Sequence, residues 1–372
     1  MKKTLGIILA SACFALTAQA QLSRGFYRIQ NKYTDRYISI ADNDKNNYPI
    51  STTTFAMKGI KTLKAGENVS TNPSTVFLVH NVGGIQYDIE GQGTSIHKIS
   101  GGRLYMNLEA QSDGSYQAYG VYQAKIYLTD DTDTDAEESY LKNSQNSSVI
   151  KKTSYWWARP INTYTEYICI KPEVEVDGKY YGTIFASFAF KLASSGMKAY
   201  TVNTAAGNTF TLQEIPGTIP AKTPVIIECS SNNYADNKIL PVEETGKAGG
   251  NLLIGTYCAR KDTKYLNVTP YDNATMRTIG KSNGKLAFVK ASSSDLYEGA
   301  YLKANKAYLQ VPSSASEILT MSGITGIDNI KADEAEETAK KGTYTLTGVR
   351  IADDVTPKPG IYIKDGKKVV IK

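Results

Sequence analysis

Glu173-Val174-Glu175-Val176 is followed directly by Asp177-Gly178 and then by Lys179-Tyr180-Tyr181. The first run alternates charged and apolar residues with the period of two that a half-buried strand requires. Asp-Gly accepts positive φ at both positions, as a two-residue type I′ turn demands. The unit therefore reads as a β-hairpin, and its turn signal recurs at Gly83-Gly84, Asp113-Gly114, Asn283-Gly284 and Asp365-Gly366. Thr209-Phe210-Thr211-Leu212 repeats the alternation. The one helix-favouring stretch, Lys331 to Lys341, has almost no apolar face and reads as a solvated linker. The spacing of these signals predicts an all-β protein.

The chain has 372 residues, enough for two or three domains. With 41% hydrophobic and 21% charged residues it can build cores, which excludes wholesale disorder. Tyr is abundant, 26 copies against 9 Phe and 2 Trp, while His80 and His97 are the two histidines. That scarcity argues against His-based metal or acid–base chemistry, and no metal or cofactor is expected. The net charge of +6 comes from scattered single Lys rather than a clustered stripe, so a nucleic-acid partner is excluded.

Met1-Lys2-Lys3 is a basic start, Leu5 to Leu16 is apolar, and Ala18-Gln19-Ala20 supplies a small-x-small cleavage site. Residues 1–20 are thus expected to be a signal peptide, leaving Gln21 first and a net charge of +4 once Lys2 and Lys3 are gone. The apolar run is too short to span a bilayer, and no other stretch approaches that length. Cys13 is followed by the still apolar Phe14-Ala15-Leu16, which disfavours a lipid-modified start there. Export, to the medium or the outer-membrane surface, is the expectation. Cys169, Cys229 and Cys258 lie 60 and 29 residues apart, which fits neither a CxxC motif nor a zinc site. One disulfide is open to them in an oxidising compartment. The apolar runs around Cys169 and Cys229 favour small buried hydrophobes instead.

Four segments follow the signal: residues 21–165, 166–321, a polar linker over 322–342 with Glu334, Glu336 and Glu337, and 343–372. The last is too small for a core of its own. Within the second segment, Ile219-Pro220-Ala221-Lys222-Thr223-Pro224-Val225-Ile226 is echoed 83 residues later by Leu302-Lys303-Ala304-Asn305-Lys306-Ala307-Tyr308-Leu309. Both read as a turn feeding an apolar strand, consistent with two similar sheet elements in a sandwich.

Gly25-Phe26-Tyr27-Arg28-Ile29-Gln30-Asn31, then Arg36-Tyr37-Ile38-Ser39-Ile40, resembles the opening repeat of a ricin-type β-trefoil. Ser74 to Val79 with Tyr87 to Gly93 is similar to the next repeat boundary, and Trp157-Ala158-Arg159-Pro160-Ile161 to the closing strand. The resemblance implies a trefoil over residues 21–165. Ser39 stands where the family places a sugar-binding Asp, and no Gln-x-Trp signature is present. The runs Tyr181 to Phe188, Met197 to Thr201, Thr218 to Val225 and Asn305 to Leu309 resemble a β-rich module of exported Bacteroidota proteins, which implies no activity. Finally, Tyr344 to Ile351, Pro359-Gly360-Ile361-Tyr362-Ile363, and Lys368 to Lys372 resemble a C-terminal sorting domain of the type IX secretion system. That resemblance implies recognition by secretion machinery through Pro359, Gly360, Tyr362, Lys368 and Lys372, on a β-hairpin with an apolar face.

Searches for reactive constellations fail on specific residues. Asp131, Asp133 and Asp135 have the spacing of a calcium loop, but Ala136 and Lys142 occupy the places of its Gly and Glu. Asp42-Asn43-Asp44 fails alike at Thr53. Gly280-Lys281-Ser282 lacks the first P-loop glycine, since Thr275 stands there. Gly91-x-Gly93 precedes no helix, and no G-x-S-x-G elbow exists. His80, at the end of an apolar strand, reads as structural.

Tyr155-Trp156-Trp157 is the one aromatic cluster suited to a ligand. Adjacent strand residues face opposite ways, so one Trp is expected in the core and the other is free to serve as a platform. Tyr37 and Asp42 are further ligand candidates. No catalytic residue is assigned. The resulting expectation is an exported, non-enzymatic binding or adhesion protein with glycans or host glycoproteins as targets. The alternatives are a secreted glycosidase or peptidase with an unrecognised site, for which paired carboxylates would be needed, and a structural component of the cell surface.

Overall fold

A computed structural model describes residues 21–40, 60–91, 94–95, 97–99, 102–104, 106–119, 125–128, 138–144, 152–162, 166–256, 269–325, 343–345, 350–351, 360–364 and 367–371. The protein is all-β. Its first part contains β1 (Gly25–Asn31), β2 (Tyr37–Ile40), β3 (Ile60–Leu63), β4 (Phe77–Gly83), β5 (Gln86–Gly91), β6 (Thr94–Ser95), β7 (His97–Ile99), β8 (Gly102–Leu104), β9 (Met106–Ala110), β10 (Tyr116–Tyr119), β11 (Lys125–Leu128), β12 (Glu138–Ser144) and β13 (Tyr155–Pro160).

Pairing runs β1–β13–β10–β9–β5–β4 and back to β1, which closes a six-stranded barrel. Between its strands lie the hairpin pairs β2–β3, β7–β8 and β11–β12. Barrel strand, hairpin and barrel strand thus repeat three times, which is the connectivity of a β-trefoil. Closure removes the free edges an open sheet would expose.

Period-two alternation fills the barrel. Tyr27 and Ile29, Phe77 and Val79, Tyr87 and Ile89, Tyr116 and Ala118, and Ile126 and Leu128 each send an i, i+2 pair into one core, with Trp156 from the closing strand. The intervening residues point outward.

Residues 166–325 form two main sheets, together with a two-stranded one of Thr269–Pro270 and Tyr301–Leu302. A four-stranded sheet orders Ile168–Cys169, Lys238–Val242, Ala189–Leu192 and Thr218–Ile219. A ten-stranded sheet runs from Val174–Val176 to Leu253–Gly255 and curls over itself. Val225–Cys229 shows why: Val225, Ile227 and Cys229 pack toward the four-stranded sheet, and Ile226 packs on the other side with Tyr200, Phe210 and Phe288. A strand buried on both faces reads as a continuous apolar run, as Val225-Ile226-Ile227 does. The sandwich therefore carries a further layer and two cores. Within it Thr209–Glu214 pairs in parallel with Ile318–Thr325.

Two of the predicted turn pairs take the two-residue geometry. Asp177 and Gly178 take φ of 50° and 75°, and Asn283 and Gly284 take 48° and 73°. Gly83 instead pairs with Gln86, so that the turn falls at Gly84-Ile85. At Asp113-Gly114 only Gly114 takes positive φ, and Asp365-Gly366 lies outside the described residues. The sequence echo is a repeated turn: Lys222 at φ 59° and Asn305 at φ 58° each precede an apolar strand, Val225–Cys229 and Ala307–Gln310.

Two boundaries differ from expectation. Ser322 to Thr325 continues the strand Ile318–Thr325 and so belongs to the second segment rather than to the linker. The trefoil and the second segment are one compact unit ending at Thr325. Val76 and Ile161 of the former are buried with Ile168, Phe188 and Phe190 of the latter, and the Phe26 and Phe188 rings lie 5.8 Å apart. The unit from Gly326 contains a four-stranded sheet ordered Arg350–Ile351, Thr343–Thr345, Gly360–Lys364 and Lys367–Ile371. The expected C-terminal hairpin is its last two strands, so the short segment is a small sheet rather than a hairpin alone. No helix among the described residues is long and apolar enough to cross a membrane.

Candidate binding surface

The loop after β1 is built by Asn31, which is fully buried. Its Nδ2 donates to the carbonyl of Thr153 at 2.7 Å, while its Oδ1 accepts from the backbone N–H groups of Tyr33 and Thr34, each at 3.1 Å. An Asn side chain that replaces backbone partners in this way fixes a turn. The Lys32 N–H donates to the Tyr155 carbonyl at 2.9 Å, so the loop lies against β13.

On β13, alternation separates the two tryptophans. Trp156 is buried in the barrel, and its indole N–H donates to the Ile126 carbonyl at 3.3 Å. Trp157 faces outward and is half-buried, with Tyr155 and Arg159 on the same side of the strand. The Lys32 ammonium stands 5.5 Å from the Trp157 ring centre and 5.8 Å from that of Tyr155. The Arg159 guanidinium stands 5.1 Å from the Trp157 ring, and its Nε donates to Gln30 Oε1 at 2.7 Å. Gln30 in turn donates to Asp35 Oδ1 at 3.3 Å. Cation–π contacts of this kind hold both cations at the ring surface.

Lys32 is also ion-paired with Asp113 on the β9–β10 turn. The Lys32 ammonium, and after it hydrogen bonds from Ser115, hold the Asp113 carboxyl well below the usual carboxylate range. Beside this group Tyr33 is 49% exposed, with the Lys152 ammonium 5.2 Å from its ring. The result is a row of aromatic rings interleaved with hydrogen-bonding cations and carboxylates.

The other ligand candidate described, Tyr37, is not on this surface. It is buried, and its hydroxyl donates to Glu166 at 3.2 Å. Glu166 also accepts from Arg28 at 2.6 Å, so Tyr37 belongs to a structural network between the trefoil and the second segment. This corrects its assignment as a ligand contact: its polar group is committed within the fold. Asp42, the Asp131–Asp135 cluster, Ala18, Ala20, Pro359, Lys372 and Cys258 lie outside the described residues. Of the sorting residues, Gly360 and Tyr362 are in the strand Gly360–Lys364, and Lys368 in the strand Lys367–Ile371 opposite Ile363.

Cys169 and Cys229 are free and buried. Burial pushes both thiols upward in pKa, that of Cys229 to about 12, so neither is an activated nucleophile. His80 Nε2 lies 3.9 Å from the buried Asp88 carboxylate, too far for the hydrogen bond that orients a catalytic base. No metal-binding cluster occurs among the described residues.

Lys32, Tyr33 and Arg159 were not singled out from the sequence. The Tyr155-x-Trp157-x-Arg159 spacing carried part of the signal, because i, i+2 residues share a strand face. Lys32 and Asp113 reach the site only through the pairing of β1, β10 and β13.

No family model and no curated protein matches the chain. Solved structures similar to it include β-trefoil proteins. The designed three-fold symmetric protein ThreeFoil aligns with TM-score 0.28 and 11% identity, over 37% of this chain and 99% of that one. The Rhizoctonia solani agglutinin gives 0.27 and 11%, over 38% and 99%, and the Haemophilus ducreyi cytolethal distending toxin 0.27 and 12%, over 38% and 87%. At these values the trefoil assignment rests on the closed barrel and its three hairpins.

Proposed function

We propose that the protein is an exported, non-catalytic binding protein whose trefoil presents the Trp157 surface to glycans or glycoproteins. The observation that carries the reading is the outward, half-buried Trp157 beside Tyr155, ringed by Lys32, Arg159, Gln30 and Asp113. A sugar presents apolar C–H patches and hydroxyls together. A ring face with nearby donors and acceptors answers both demands. Stacking on Trp157 requires one cation to move aside, and Lys32 is the one at the exposed end, whereas Arg159 is anchored on Gln30.

Export rests on the signal-like residues 1–20, and the sorting-like C-terminus suits handling by secretion machinery at the cell surface. Glycan-array binding by the chain from Gln21 to Lys372 tests the reading. Trp157→Ala is expected to weaken the strongest signal about tenfold, equivalent to roughly 1.4 kcal/mol. Melting of that variant should stay close to the parent, since the ring is outside the barrel core. An intact chain that binds no glycan, or that binds equally well without Trp157, refutes the proposal.

A further inference from the structure

A cavity of about 430 Å³ opens where the outer face of the barrel meets the second segment. Ligand pockets begin at about 300 Å³, so it is large enough for a small organic group. One wall is a row across three strands: Phe26 on β1 pairs with Leu78 on β4, and Leu78 with Glu90 on β5. Phe188, whose ring packs on Phe26, completes an apolar floor, with Pro220 and Val242 in the same lining. Glu243 and Glu244 stand at the rim. Their loop is pressed onto the sheet, for a Cβ on Gly246 would come within 2.1 Å of the Thr218 carbonyl oxygen.

The charges around this apolar floor are unequal. Glu243 is paired with Arg24 at 2.6 Å, and Glu244 with Lys191 at 2.7 Å. The third carboxylate, Glu90, makes no ion pair among the described residues and is half-buried. A neutral apolar occupant would desolvate Glu90 without compensation, and an anion would meet the Glu90 carboxylate with no paired cation beside it, since Arg24 and Lys191 are taken up by Glu243 and Glu244. A cation on an apolar stem satisfies both the apolar floor and Glu90.

We propose that this cavity binds an alkylammonium group, either a free amine or a lysine side chain presented by a peptide, with its stem on Phe26, Leu78 and Phe188 and its head at Glu90. The site is separate from the Trp157 surface and stands or falls independently of the glycan reading.

Calorimetric titration of the chain from Gln21 to Lys372 with hexylammonium, hexanoate, hexanol and the peptide acetyl-Gly-Gly-Lys-Gly-Gly-amide tests it. Hexylammonium should bind, and hexanoate and hexanol should not. Glu90→Gln should weaken hexylammonium about tenfold. Ala221→Phe, which fills the cavity from its exposed side, should abolish it with little change in melting. Trp157→Ala should leave it unaltered. Peptide binding together with amine binding identifies a lysine side chain as the occupant, and amine binding alone identifies a small amine. Failure of both cations to bind, equal binding of hexanol, or indifference to Glu90→Gln overturns the proposal.

Discussion

Asn305 joins the two halves of the main unit, and its replacement gives a graded test of how. It is 5% exposed and holds φ at 58°. Its Nδ2 donates to the Phe185 carbonyl at 3.1 Å, and its Oδ1 accepts from the Ser74 hydroxyl of the trefoil at 2.9 Å. Asn305→Ala deletes both bonds, at about 1 kcal/mol each, and places a Cβ-bearing residue without Asn's local hydrogen bonding in the left-handed region, at about 1 kcal/mol more. The expected loss is about 3 kcal/mol in urea titration. Asn305→Gly deletes the same bonds but tolerates the backbone, so its loss should be about 2 kcal/mol. A cycle with Ser74→Ala should show coupling of about 1 kcal/mol, because the two side chains share a bond. If Gly proves as costly as Ala, the backbone part of the reasoning is wrong. If both variants lose less than about 1 kcal/mol, the contact does not join the halves.

Three further outcomes follow from the same contacts. Arg28 is 1% exposed and paired with Glu166, which is 18% exposed; Arg28→Met should cost about 3 kcal/mol by stranding the carboxylate, and a loss below about 1 kcal/mol in denaturant titration would contradict that. Burial, reinforced by Glu166, pushes the Tyr37 hydroxyl up to about 12, and burial with Glu228 does the same at Tyr181. Tyr200 moves further in the same direction for the same two causes. Since these folded values lie above the unfolded value near about 10, their stabilisation is complete below about pH 10 and is lost as pH rises through about 12. Urea midpoints that stay level through this range would be inconsistent with it, and Tyr200→Phe should reduce the decline. Lys222, exposed and at φ 59°, keeps its backbone bond to Ala186 when replaced. Lys222→Gly should therefore raise stability by up to about 1 kcal/mol, and thermal melting should show the gain.

The aromatic part of the candidate site, Tyr155 and Trp157, was legible one residue at a time. Strand alternation alone separated Trp156 from Trp157, because neighbouring side chains on a strand must face opposite ways. The same rule puts Arg159, which was not singled out from the sequence, on the face of Trp157. It could not reveal Lys32 or Asp113, which are 125 and 44 residues from Trp157 in the chain and reach it through pairing. Tyr37 was misjudged for a related reason. A tyrosine with its hydroxyl toward solvent and one with its hydroxyl on a buried carboxylate have the same local sequence, and Glu166 decides between them.

The sequence by itself determined the all-β class and the hairpin turns at Asp177-Gly178 and Asn283-Gly284. Those properties follow from local dihedral preference and a two-residue period, both written in consecutive positions. Only the tertiary structure decided that the first two segments form one unit, that the second has two cores, and that a cavity lies at their junction. Each of these depends on which apolar faces meet, and contact between faces is set by packing among residues far apart in the chain.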